Sequence, residues 1–263
     1  MPNSNNQLAH FSQITLQGND ASQFLQGQLT LNVNKLGLSY VPTAISNLKG
    51  RIAFGLWIKK YADDNGQCYD VVISADCAEP FISHVKKYAV FSQVTLSVPK
   101  PIFPCVIDEE PTFSNHKDNA DAIAWMTASI ATGNYWITQA TSNQFQPQEL
   151  RLHQRGGVDY DKGCYLGQEV IARLYFKSAP KAHLHRVAGD YHTLQTDATA
   201  LPMAGETLVD GITVVNVMPC ADDDLTFEAL VVVRPQTIEQ WRLKGLDVLD
   251  LPMALQADVA RSV

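Results

Sequence analysis

Apolar residues recur along this chain at two periods. Over residues 52–58 they alternate, with Ile52, Phe54, Leu56 and Ile58 on one side and Ala53, Gly55 and Trp57 on the other. That pattern predicts a strand with both faces at least partly covered. Ile14-Thr15-Leu16, residues 69–74 and residues 94–98 read as further strands. Helical spacing appears where Asp20 caps a segment with Ala21, Phe24, Leu25 and Leu29 on one face. It appears again after Pro80, with Phe81, Val85 and Tyr88 in line. A third helix is expected over 120–132, stopped by Gly133, and a short fourth from Pro147 to Gly156-Gly157. Residues 135–138 look extended. Pro99, Pro101 and Pro104 mark a change of lobe, and the polar stretch 108–119 reads as a surface loop.

After Pro180 the texture changes. Residues 184–188, 207–209, 213–217 and 229–233 read as short strands separated by Gly189, Gly205, Asp210-Gly211 and residues 222–224. This is the pattern of a small antiparallel barrel or sandwich. The architecture expected is α+β, with a C-terminal all-β domain.

Composition narrows the function classes. The 263 residues are 46% hydrophobic and 18% charged, ordinary for a globular chain, and no apolar run is long enough to span a membrane. The N-terminal residues are polar and lack a secretory pattern, so a cytoplasmic protein is expected. Five cysteines, an odd number with no CxxC pair, argue against a disulfide framework, a closed zinc site or a stable cluster ligand set. No metal site is expected. A net charge of −7 argues against general nucleic-acid binding. The charge is uneven, because residues 151–186 carry seven Lys/Arg against three Asp/Glu, together with His153, His183 and His185. That window is either a chance fluctuation or a local site for an anionic ligand.

The chemistry-bearing run is Lys162-Gly163-Cys164-Tyr165-Leu166-Gly167-Gln168-Glu169. Its glycines suggest a tight loop around a thiol. Lys162, Arg173 and a helix start near Gln168 would favour the thiolate of Cys164, and Glu169 would oppose it. Spacing alone leaves a functional thiol and an incidental one both open.

This run resembles the signature of the YgfZ family, which is itself similar to the T-protein of the glycine cleavage system, a tetrahydrofolate-using aminomethyltransferase. The likeness takes in Phe145-Gln146-Pro147-Gln148, Gly156-Gly157-Val158 and Ala172-Arg173 around it. It extends to Gly18, Asp20-Ala21, Phe24-Leu25-Gln26-Gly27-Gln28-Leu29-Thr30 and Asn32-Val33, to Asn47 and Lys49-Gly50-Arg51, and to Lys86-Lys87-Tyr88-Ala89-Val90-Phe91-Ser92. Residues 10–180 carry it well and the C-terminal part loosely. The resemblance implies a three-lobed, aminomethyltransferase-like folate-binding fold with a small C-terminal β-barrel. The folate-binding region would cover residues 1–178, in two lobes meeting near 99–108, and the barrel residues 179–263.

The resemblance further implies two aromatic positions facing folate, Phe11 and Trp125, although Trp125 also fits an ordinary helix core beside Ala122, Ile123, Met126 and Ile130. Cys164 would be the working thiol, with Lys162, Gly163, Tyr165, Gly167, Gln168, Glu169 and Arg173 shaping its loop. Two departures stand out. Phe54 and Gly55 occupy positions where the aminomethyltransferase has acids, which argues against aminomethyl transfer. Ala131 stands where that enzyme has a carboxylate for the pterin, so another acceptor is needed. The expected role is a folate-binding accessory protein in iron–sulfur cluster assembly or repair that indirectly supports tRNA modification, with folate and iron–sulfur proteins or their assembly factors as partners. The alternatives are a tetrahydrofolate-dependent one-carbon transferase or demethylase, and a module binding tRNA through the basic window.

Overall fold

The computed structural model describes residues 8–64, 66–194, 200–208, 211–220 and 223–257. The polar residues 1–6, together with Val209, Asp210 and Asp222 from the expected strand and turns, lie outside the described residues. In chain order the elements are β1 (Phe11–Gln17), α1 (Ala21–Gln28), β2 (Val41–Ser46), β3 (Ile52–Asp63), β4 (Gly66–Ser74), α2 (Ala78–Tyr88), β5 (Thr95–Leu96), β6 (Lys100–Ile107), β7 (Glu110–Ser114) and α3 (Ala122–Thr132). Then follow α4 (Gln168–Lys177), β8 (His183–Asp190), α5 (Tyr191–Leu194), β9 (Thr207–Leu208), β10 (Ile212–Cys220), β11 (Asp223–Val233), α6 (Pro235–Arg242), β12 (Asp247–Leu249) and α7 (Met253–Gln256).

Two antiparallel sheets result. The first runs β2-β3-β4-β1-β6-β7, with β5 also on β1, and the second runs β12-β8-β11-β10-β9. Alternation along the first sheet sorts its side chains between two cores. Phe54, Leu56, Ile58, Ile14, Leu16, Val71 and Ile73 pack with Phe24 and Leu25 of α1 and Phe81 and Val85 of α2. The opposite face offers Phe11, Trp57, Val72 and Ile102 to a second core. That core also takes Trp125 and Ile130 of α3, Trp136, and Leu184, Val215, Leu230 and Val232 of the second sheet. Asn216 clasps the segment between them. It accepts from Trp136 N–H (3.0 Å) and donates to the Trp136 carbonyl (2.9 Å).

Several local expectations change. Asp20 occupies the N-cap position of α1, but its side chain makes no capping bond; its carboxylate accepts from Gln93 N–H at 2.7 Å and so fastens the turn ahead of β5. The strand expected over 94–98 shrinks to two residues. The proline-marked stretch is a strand in the first sheet, since β6 pairs with β1 over its first residues and with β7 over its last. The loop expected over 108–119 contains β7. Asp108 and Glu109 adopt φ of 50° and 66°, which closes a two-residue hairpin and buries Phe113. No helix follows Pro147. Residues there form successive turns, and Arg151, at φ 56°, leaves the helical region so that its guanidinium reaches the Leu184 and Ala257 carbonyls. The helix over 120–132 does end at Gly133, at φ 69°.

Candidate functional site

The thiol loop is fixed from beneath. The last carbonyls of α1 have no intrahelical donors, and they sit at the negative end of the helix dipole. Lys162, only 6% exposed, supplies donors there: its Nζ donates to the carbonyls of Gln26 (2.7 Å) and the capping Leu29 (2.6 Å), and to Leu31 (2.8 Å) just beyond the helix, and lies 4.8 Å from the Tyr165 ring centre. Backbone bonds from Asp159 N–H to Thr30 O (2.9 Å) and from Leu166 N–H to Gly27 O (3.2 Å) add to this. Thr30 also donates through its hydroxyl to Gly157 O at 2.6 Å. Gly167, at φ 80°, caps α4; a Cβ there would stand 2.4 Å from Asn47 O. A Cβ on Gly50 would stand 2.8 Å from Val170 Cβ. The segments around Gln26–Thr30, Asn47–Gly50, Gly156-Gly157 and the thiol run, far apart in sequence, therefore meet at one place.

Cys164 is exposed on top of this clamp. The expected partnership of Lys162 with the thiol is not formed, because the ammonium points inward to three carbonyls. Gly163 is open around its Cα. Gln168 Nε2 reaches the Lys162 carbonyl at 3.5 Å, while Glu169 and Arg173 are exposed on α4. Nor is the basic window one anion site. Lys162 and Arg151 are buried, Arg155 is bound to Asn134, and Arg186 pairs with Glu228 at 2.8 Å. Burial also keeps His153 and His185 neutral, pushing each down to about 4.

Phe11 and Trp125 come together in the second core, ring centres 4.9 Å apart, joined by Trp57, Phe113 and Trp136. They are 3% and 0% exposed and back a cavity without lining it. The wall itself is Trp57 and Phe113, with Tyr40, Asn134, Arg155 and Glu110 around a space of about 220 Å³. Asn134 Oδ1 accepts from Trp57 Nε1 (3.3 Å) and from Arg155, whose guanidinium carbon lies 5.3 Å from the Tyr135 ring centre. Burial lowers the Arg155 guanidinium to about 10, so it stays cationic at neutral pH. The Tyr40 hydroxyl is buried with no hydrogen-bond partner among the described residues. Phe54 and Gly55 belong to packing: Phe54 meets the Phe81 ring at 5.7 Å, and a Cβ on Gly55 would stand 2.5 Å from Ile137 Cγ1.

Of the cavity residues, only Trp57 had shown a sequence signal, as the aromatic on the second face of an alternating strand. Phe113 and Glu110 fell in the expected loop, and Arg155 was counted within the basic window. Nothing in the pattern marked Tyr40 or Asn134.

No family model matches the chain. Curated relatives named tRNA-modifying protein YgfZ align with it, at 27% identity in Shigella sonnei and 26% in Escherichia coli (strain K12 / DH10B), each over 74% of this chain and 72% of the relative. Among solved structures, glycine cleavage system aminomethyltransferase T from Bartonella henselae superposes with a TM-score of 0.62, at 13% identity, covering 95% of this chain and 86% of that one. No helix among the described residues is long and apolar enough to cross a membrane. The chain is a homologue of the proteins named tRNA-modifying protein YgfZ, built on the fold of aminomethyltransferase T.

Proposed function

We propose that this chain is a folate-binding accessory protein for iron–sulfur cluster assembly or repair, and that it supports tRNA modification through the proteins it serves. The observation that carries the folate part is the cavity bounded by Trp57 and Phe113 and backed by Phe11 and Trp125. Its volume, about 220 Å³, is below the ~300 Å³ at which pockets enclose a drug-sized ligand, so it suits one ring system with the rest of the molecule outside. The lining fits that group. Aromatic faces suit a flat ring. The Glu110 carboxylate supplies the acceptor that Ala131 lacks, and the unpartnered Tyr40 hydroxyl is a further polar contact. The Arg155 guanidinium, cationic beside Asn134, offers N–H donors to a ring carbonyl or ring nitrogen at the same wall. When bound, tetrahydrofolate would supply one-carbon or reducing chemistry. The chain's own residues bind and orient it, and the clamped loop presents Cys164 to a protein partner.

Calorimetry with tetrahydrofolate tests the cavity. The parent should bind saturably, and Glu110→Gln and Arg155→Gln should each weaken binding about tenfold, the equivalent of one charged hydrogen bond. Binding absent from the parent, or unchanged in both variants, would refute it. For the accessory role, Cys164→Ala should fold normally yet fail to complement a strain lacking its own homologue; full rescue would remove the thiol from the reading.

A further inference from the structure

A larger cavity, about 440 Å³, is lined by residues that flank the thiol run in sequence and that the folate reading does not use. One wall is aromatic. Tyr160 stacks on Tyr175 with ring centres 3.7 Å apart and planes 10° from parallel, and Phe176 stands edge-on to both at 5.9 and 5.0 Å. Two of the polar side chains there are carboxylates, beside Asn32, the His153 ring and the hydroxyls of Tyr160 and Tyr175, which can donate or accept. Asp159 and Asp161 bring two carboxylates, which only accept while ionised. Burial alone would raise the Asp159 carboxyl, but hydrogen bonds from Lys35 and the Asp161 N–H bring it below its usual range. His153 also lines the space, neutral, with its Nδ1 buried and without a hydrogen-bond partner among the described residues. The cation at the rim, Lys35, is already paired with Asp159 at 2.5 Å.

This lining selects a ligand class. Stacked aromatics favour a planar π system. Two carboxylates against one engaged ammonium disfavour an anion, which rules against a phosphate or a glutamate tail. The two carboxylates call for a ring that carries N–H donors. We propose that this cavity is a second binding site, for an uncharged or cationic amino-substituted heteroaromatic ring of the aminopyrimidine or aminopurine class. It does not rest on the folate reading.

The test is a fluorescence or NMR titration of the whole chain with cytidine, uridine and tetrahydrofolate. Cytidine should bind saturably at or below ~1 mM. Uridine, with a carbonyl in place of the amino group, should bind at least about fivefold more weakly. Asp161→Ala and Phe176→Ala should each weaken cytidine binding about fivefold or more. Both side chains are exposed, so neither change opens a core, and an unchanged thermal midpoint checks this. Tetrahydrofolate should not displace cytidine. No saturation, equal binding of uridine, displacement by tetrahydrofolate, or full affinity in both variants would each overturn the proposal.

Discussion

Lys162 shows how a single side chain can serve a loop without taking part in its chemistry. Its ammonium replaces the donors that the end of α1 lacks, and the Tyr165 ring lies beside it. Lys162→Met keeps the length and removes the donors, leaving carbonyls of Gln26, Leu29 and Leu31 without that partner. Unfolding in denaturant should show a loss of about 1–3 kcal/mol. An unchanged midpoint would mean water replaces the ammonium. The importance of Lys162 was legible from the run it opens, but its direction was not, because spacing records neighbours in sequence and not which way a long side chain turns. Trp125 gives the matching case. The helix-core reading is what the structure shows, since Trp125 is fully buried and stands behind the wall of the cavity.

Among the elements, the hairpin of β6 and β7 carries two cavity residues, Phe113 and Glu110, on strands that the sequence concealed. Three prolines in and before β6 read as a break, and the polar turn that follows read as a loop. The strands form because β6 divides its pairing between two neighbours and because Asp108 and Glu109 accept left-handed backbone angles. An L-residue bears about 1 kcal/mol or more of strain there, and glycine bears none. Glu109→Gly should therefore raise stability by up to about 1 kcal/mol, read as a higher denaturation midpoint at constant slope. A fall would show that Glu109 makes contacts worth more than the strain. Where period and caps agreed, as in β1, β3, α2 and α3 with its Gly133 stop, the elements were readable in advance. The aromatic cavity was not, since it joins residues from β3, β7 and the turns near 134 and 155, and only the folded sheet brings these together.

At the scale of the whole molecule, three histidines among the described residues are largely buried and neutral. His84, His153 and His185 are each lowered by burial from 6.5 to about 4. Between those pH values the unfolded chain binds protons that the folded chain refuses, so stability falls as pH drops from 6.5 toward 4 and is fully present above 6.5. Each imidazole contributes to that loss in the same direction. Glu149, raised by burial, acts in the opposite sense. Thermal melts at stepped pH should show the decline, and His185→Asn should flatten it; a parent with a level profile from pH 7 to 4 would contradict the assignment.

The clasp between Asn216 and Trp136 bears on how this chain can be divided. Cutting at residue 178 would strip Trp136 of both amide contacts and remove Leu184, Val215, Leu230 and Val232 from around Trp125. The amino-terminal fragment would then carry an open greasy face, and the carboxy-terminal one an orphaned carboxamide. Each piece keeps a cluster of its own elsewhere, around Phe81 in one and Trp241 in the other, but the interior around Trp125 is built from both.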